Sequence, residues 1–201
     1  MNIETIQDLR AYFGQPQDRA IKKEIPFLDK HCIDFIRLSP FVVLASSDDD
    51  HNMDASPRGG APGFVKVSMS GELLIPEAPG NNRIDTLQNV FATRKLGLIF
   101  LIPGFNETLR VNGSANLSFE VADLEACRDE KRAPKAVIKV VPQSVYLHCA
   151  KAFLRSKLWT AEAQVDREVL PTAGQMISDQ TGITVPHEAR EAMELRYQPD
   201  L

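Results

Sequence analysis

Two neighbouring segments hold residue types at spacings that suit the grip of a phosphate group. The first is Asp54-Ala-Ser56-Pro-Arg58-Gly59-Gly60, in which a hydroxyl stands two residues from a guanidinium and two glycines follow. The second is Leu74-Ile75-Pro76-Glu77, continued by Gly80-Asn-Asn82-Arg83-Ile-Asp-Thr86-Leu-Gln-Asn89. A phosphate monoester needs charge-assisted donors in fixed directions. Arginine supplies a planar fork, and a helix N-terminus supplies unpaired N–H groups with a favourable dipole. Asn81 or Asn82 suits an N-cap, which would put Arg83 in the first helical turn. Thr86 and Asn89 continue the polar line along that helix. Gly59 and Gly60 let a ligand approach the backbone, and Ser56 adds a hydroxyl. Either piece alone reads as a capped helix with a surface arginine, or as a glycine-rich hairpin turn. Both together, flanking one hairpin, read as a phosphate grip beside a flat apolar slot.

A second cationic cluster runs from His148 to Trp159. Lys151 and Arg155 are four residues apart and share one helix face. Trp159 joins them on that side if the helix persists. Two cations and an aromatic ring suit a phosphate and the rim of a planar ring. An ordinary surface face with tryptophan packed at the helix end fits equally well.

Other chemistries find little support. Asp48-Asp49-Asp50 invites a metal, but no calcium-loop spacing follows, so a solvated hairpin tip is the better reading. His31 falls within a helical pattern as a surface or core-edge histidine. Ser56 lacks the G-x-S-x-G elbow of a nucleophilic serine. No paired carboxylates and no Ser-His-acid set compete.

The elements that must position these residues follow from periodicity. Residues 3–13 repeat at helical spacing, and a second helix starts near Pro26, with Phe27, Leu28, Cys32, Phe35 and Ile36 as its buried stripe. Strands are expected at 41–45, 64–69, 72–75, 96–102, 108–117, 135–141 and 144–148, the last two separated by Pro142. The apolar run at 96–102 reads as a central strand covered on both sides. Asn112-Gly113 marks a turn or bulge. Helices are expected at about 82–93, 150–158, 173–180 and 187–197, and 120–132 reads as a short polar helix or an excursion. Few strands and helices alternate in the βαβ manner, and no G-x-G-x-x-G follows the first strand. The fold class is therefore mainly β (α+β), a closed or nearly closed antiparallel barrel of six to seven strands with peripheral helices.

At 201 residues the chain reads as a single domain, with N-terminal helices to about residue 38 and C-terminal helices from about residue 160. A net charge of -4 argues against broad nucleic-acid binding, which needs a basic face. Three scattered cysteines without a C-x-x-C pair suit free thiols in a reducing cytoplasm. No signal-peptide pattern opens the chain. The longest apolar runs are too short to span a bilayer.

The Ser56-Pro-Arg58-Gly-Gly segment, Leu74-Ile75-Pro76, the Asn81 to Asn89 helix start, Arg110-Val-Asn-Gly113 and the Lys151 to Trp159 segment together resemble the pyridoxamine 5'-phosphate oxidase-like flavoproteins. They are similar, more narrowly, to a bacterial subgroup described as FMN-dependent enzymes. The resemblance covers about residues 25–160. It implies a split β-barrel homodimer with two FMN sites at the subunit interface. On that view Arg83, Thr86 and Asn89 hold the phosphate side, with Asn82, Arg58, Ser56 and Gly59 nearby. Leu74, Ile75 and Pro76 lie along the isoalloxazine, and Lys151, Arg155 and Trp159 reach in from the partner subunit. Arg58 or Arg110 would stabilise charge on the reduced ring. The C-terminal Arg-x-His pattern of the true pyridoxamine phosphate oxidases is missing from a chain that ends Arg196-Tyr-Gln-Pro-Asp-Leu201, which argues against oxidation of the B6 vitamer. The implied activity is an FMN-dependent oxidoreductase using NAD(P)H or a small organic substrate. A non-catalytic flavin carrier or redox sensor, a barrel that binds deazaflavin F420 or haem, and a plain interaction domain stand as rivals.

Overall fold

Seven strands form one antiparallel sheet in the computed structural model, which describes residues 2–78, 80–184 and 188–199. They are β1 (Phe41–Ser47), β2 (Met53–Gly59), β3 (Lys66–Val67), β4 (Leu73–Pro76), β5 (Lys95–Leu101), β6 (Thr108–Ser118) and β7 (Val137–His148). Their spatial order is β2-β1-β5-β6-β7-β4-β3. The helices are α1 (Ile6–Phe13), α2 (Asp18–Lys22), α3 (Lys30–Leu38), α4 (Asp85–Thr93), α5 (Val121–Ala126), α6 (Lys151–Ser156), α7 (Ala173–Thr181) and α8 (Arg190–Tyr197). The sheet curls into a half-barrel, the mainly β split-barrel class that the strand pattern implies. No helix among the described residues is long and apolar enough to cross a membrane.

Period-two alternation decides which face is inside. Val42, Leu44, Leu98, Phe100, Leu109 and Val111 project to one side and are essentially fully buried. α3 contributes Cys32 and Ile36 to the same cluster, and α4 contributes Val90. Each large side chain so buried is worth about 1.5–3 kcal/mol. The opposite face is bare by comparison. Phe41 and Ile99 are each 38% exposed there, and Val43 and Leu101 are half-buried. The apolar run of β5 is thus fully covered on one side only, because α3 and α4 both pack on the inner face. Within one chain the expected two-sided cover is met on the inner face and only partly on the outer one.

Several boundaries differ from the sequence reading, and three of them have a clear local reason. Residues 54–60 have the composition of a turn but lie mostly in β2, which pairs residue for residue with β1 from Met53↔Ser47 to Gly59↔Phe41. Pro57 is tolerated because β2 is an edge strand. β7 is one strand rather than two. Pro142 sits opposite Gly113, where the β6–β7 register shifts. A Cβ on Gly113 would lie 2.1 Å from the Val141 carbonyl oxygen, so this bulge requires glycine. α3 starts at Lys30, not Pro26, because the Asp29 side chain accepts from the Cys32 N–H at 2.8 Å and fixes the N-cap.

α1 carries a capping box between Thr5 and Asp8, whereas α2 has no counterpart in the sequence reading. α7 and α8 fall where the pattern places C-terminal helices. The expected start of the last one, at His187 behind Pro186, lies outside the described residues.

Candidate functional site

β2 places Asp54, Ser56 and Arg58 on one side at period two, all half-buried. Their partners across β1 are Ser46, Leu44 and Val42, so these three side chains share the inner face of the sheet at its edge. Arg58 is held firmly. Its Nη1 donates to Ser56 Oγ at 2.6 Å and to the Pro57 carbonyl at 3.0 Å. Its Nε and Nη2 donate to Glu77 Oε2 at 3.2 and 3.1 Å. The Arg58 and Glu77 side chains are 15% and 21% exposed. Ser56 and Arg58 are therefore brought together as expected, with Glu77 as a partner the sequence reading passed over. Of the two glycines, Gly60 is the one that must lack a side chain, since its Cβ would lie 2.8 Å from Phe64. Gly59 has ordinary room around it.

α4 begins later than expected, at Asp85. Asn82 (φ 59°) and Ile84 (φ 51°) both take left-handed conformations in the approach to it. Ile84 occupies the N-cap and offers no side-chain hydrogen bond. No side chain therefore caps the first-turn N–H groups. Arg83 precedes the helix instead of sitting in its first turn. Its side chain is 74% exposed and its Nε donates to Asp85 Oδ2 at 2.9 Å. Thr86 and Asn89 face inward. Thr86 Oγ1 donates to Asp54 Oδ2 at 2.8 Å, and Asn89 Nδ2 donates to Ser46 Oγ at 3.0 Å. They clamp α4 to the strand pair β1–β2, at 2% and 8% exposure.

Leu74 and Ile75 are buried on opposite faces of β4. Ile75 belongs to the main core, and Leu74 packs with Cys127, Val137 and Leu124 beneath α5. Only their backbone and Pro76 remain to meet a ligand. Burial pushes the Cys127 thiol up to about 11, and the Cys32 thiol likewise.

Arg110 lies elsewhere. The register aligns Pro57, Val43, Ile99, Arg110 and Tyr146 in one row on the outer face. One ligand cannot touch Arg58 and Arg110 of the same chain through opposite faces of one sheet. Lys151 and Arg155 are exposed on α6. Lys157 is left-handed and ends that helix, so Trp159 leaves its face. Trp159 Nε1 donates to the Phe105 carbonyl at 2.6 Å, and its ring stacks on Phe153 with centroids 5.5 Å apart.

Asp54, Ser46 and Glu77 are the polar residues that the sequence reading missed. Reading 53–59 as a strand would have exposed the Asp54, Ser56, Arg58 alternation. The Asp48–Asp50 loop shows no metal cluster among the described residues; Asp48 accepts from Asn52 instead. A separate cleft of about 330 Å³ opens near Ala45, Lys95, Gly97 and Asn112, and none of the predicted site residues lines it.

Residues 28–149 match the family described as pyridoxamine 5'-phosphate oxidase, and the chain belongs to that family. No curated protein matches it. Among solved structures it is similar to Group A Streptococcus HupZ, with 17% identity over 60% of this chain and 94% of that one and a TM-score of 0.50. A candidate pyridoxamine 5'-phosphate oxidase from Lactobacillus delbrueckii is 18% identical over 61% of this chain and 95% of that one, with a TM-score of 0.48. The FAD binding protein of Mycobacterium smegmatis is 15% identical over 60% and 95%, with a TM-score of 0.43. At such identities the HupZ likeness speaks for the fold alone.

Proposed function

We propose that this chain binds FMN and serves as an FMN-dependent oxidoreductase. The observation that carries the reading is the family match across residues 28–149, which spans the Ser56–Arg58 pair and the uncapped start of α4. The residues suit the cofactor's phosphate end. Uncapped first-turn N–H groups and the solvent-facing Arg83 supply donors and positive charge where a phosphate would need them. Thr86 and Asn89 act by fixing α4 against β1 and β2, which aims that helix start. Arg58, steadied by Ser56 and Glu77, would offset negative charge at the ring, and the backbone of Leu74 to Pro76 would flank it. Bound FMN would supply hydride or electron transfer. The protein's part is to hold it, orient it and limit water.

The homodimer belongs to the same proposal. The outer-face patch of Phe41, Val43, Ile99 and Leu101 is apolar, contiguous in register and partly exposed among the described residues, which suits pairing with a second copy. Lys151, Arg155 and Trp159 would then approach the other chain's flavin. Free thiols suit a reducing compartment such as the cytoplasm.

The test is the visible spectrum of the purified protein, followed by anaerobic addition of NADH or NADPH. Two flavin bands that bleach with a donor support the full reading. Bands that no donor bleaches leave a flavin carrier, and a colourless protein that gains no thermal stability from added FMN sinks the proposal. Saturating ligand at a hundredfold excess over Kd should add about 2.7 kcal/mol.

A further inference from the structure

Residues 2–24 are exposed throughout apart from Asp8, and no residue of α1 is buried. Yet α1 is specified at both ends. Thr5 and Asp8 form its capping box, and Gly14 (φ 77°) ends it, its N–H donating to the Arg10 carbonyl. Ile6, Leu9 and Phe13 stand at i, i+3 and i+7, so they share one side of the helix, with Tyr12 beside them. Ile6, Leu9, Tyr12 and Phe13 are 74%, 44%, 60% and 75% exposed. An eight-residue helix that packs on nothing is marginal in water. The apolar stripe therefore calls for cover from outside the segment.

The root of this arm is fixed. Ile25 and Val145 exchange both backbone hydrogen bonds, at 3.0 and 2.8 Å, and Lys23 Nζ donates to the Leu147 carbonyl at 2.7 Å. Lys23 Nζ also lies 5.2 Å from the centroid of the Tyr146 ring. Tyr146 ends the outer-face row of Val43, Ile99 and Arg110. The arm thus leaves the barrel at the margin of the face that the proposed second copy covers. Surface area says what can supply the cover. The chain exposes 14139 Å², against about 9,400 Å² for a compact monomer of its mass. That surplus is several times the roughly 800 Å² that each partner buries in a standard stable interface. Charge argues against a lipid surface. A helix lying on anionic lipid carries lysine and arginine on its polar side, whereas here Arg10 stands against Glu4 and Asp8.

We propose that residues 3–13 form an arm that clasps a second copy of this chain, with the apolar stripe of α1 lying against the partner. A twofold pair exchanges two such arms, so each stripe residue acts twice per dimer. The inference rests on the homodimer reading and adds to it a contact outside the barrel. It is independent of whether flavin is bound.

Light scattering of the wild type and photo-cross-linking of the full chain, with Phe13 replaced by p-benzoyl-phenylalanine, test it. The wild type should be dimeric, and illumination should join position 13 to the other chain, giving a covalent dimer on a denaturing gel. The double variant Leu9→Glu/Phe13→Glu should stay folded, since neither side chain is buried within its own chain. Its subunits should exchange about tenfold faster or more, the loss expected when one apolar side chain returns to water. A monomeric wild type sinks the homodimer reading and the arm together. A dimer that yields only links within one chain, or none, sinks the arm alone, and so does unchanged exchange in the double variant. Wild-type binding to phosphatidylserine vesicles that the double variant loses would assign the stripe to lipid and overturn the proposal.

Discussion

Arg58 and Glu77 meet at 3.1 Å although four strands separate β2 from β4 in the sheet order. In a flat sheet, five inter-strand steps would hold those strands about 24 Å apart. The ion pair therefore exists because the sheet curls, and it ties the edge strand β2 to the chain leaving β4. It also places the most buried guanidinium of the proposed cofactor site under the control of a carboxylate. Glu77→Gln should lower stability by about 1–2 kcal/mol, since a half-buried arginine loses its counter-charge. If Arg58 serves the flavin, the same change should leave FMN affinity unchanged or raise it, because Glu77 no longer competes for the guanidinium. Denaturant unfolding and FMN titration of one purified variant measure both. Weaker FMN binding without loss of stability contradicts such a competition.

Arg83 is expected to behave in the opposite way. It is exposed and touches only nearby groups, so Arg83→Ala should change stability by less than about 0.5 kcal/mol. FMN affinity should fall about tenfold or more, as expected when a charge-assisted contact to phosphate is lost. Unchanged flavin occupancy in the purified variant rules out a phosphate contact by Arg83.

Thr86 and Asn89 call for paired substitutions, because their structural and binding roles coincide. Thr86→Val removes the donor to Asp54 and leaves a half-buried carboxylate short of a partner, at about 1–3 kcal/mol. Thr86→Ser keeps the hydroxyl and should retain most of that stability. Asn89→Leu deletes the bond to Ser46 in a site that is 8% exposed. Thermal unfolding of the three variants orders them, and a Thr86→Val protein as stable as Thr86→Ser would show that the clamp to β2 has no weight.

Much of this arrangement can be read from the chain because it depends on period and punctuation. Val42, Leu44, Leu98 and Phe100 alternate as a strand pair must, and Asn112-Gly113 marks the bulge that the Val141 carbonyl imposes. The site is legible as a set of residue types rather than as a geometry. Pro57 and the glycines beside Arg58 make a strand resemble a turn, because local chemistry cannot report that β2 is an edge. The asparagines at 81 and 82 look like caps, yet Arg83 and Ile84 delay the helix to Asp85. That Arg58 and Arg110 face opposite ways follows only from register, which no single strand contains. Glu77 is a partner only once the sheet has curled.

Asp123 provides a test in acid. It accepts from Ser118 Oγ and lies 3.1 Å from Lys139 Nζ, with both carboxylate and ammonium mostly withdrawn from solvent. The Ser118 hydroxyl, then the Lys139 ammonium, hold its carboxyl below the usual carboxylate range. A folded-state value below the unfolded one means that the ionised form favours the native state. The stabilisation is thus present above the unfolded value near pH 4 and disappears as pH falls through the lower folded value. Urea midpoints of wild type and Asp123→Asn should differ at pH 7 and converge as pH falls through the lowered folded-state value. Parallel curves across that range would show that this carboxylate does not anchor α5 to β7.

Thiol chemistry separates the three cysteines by burial. Cys32 and Cys127 are 6% and 5% exposed, and burial raises both thiols to about 11. Cys149 is exposed just beyond β7. The thiolate is the reactive species, so at pH 8 the native protein should take up one iodoacetamide per chain, at Cys149, and three after unfolding. Because Cys32 sits in the main core and Cys127 packs under Leu74, their labelling reports opening of α3 and α5 respectively. Mass spectrometry of tryptic peptides over a time course reads all three sites at once. Rapid native labelling of Cys127 would mean that α5 does not cover β4 in solution, and the burial of Leu74 between Cys127, Leu124 and Val137 would fall with it.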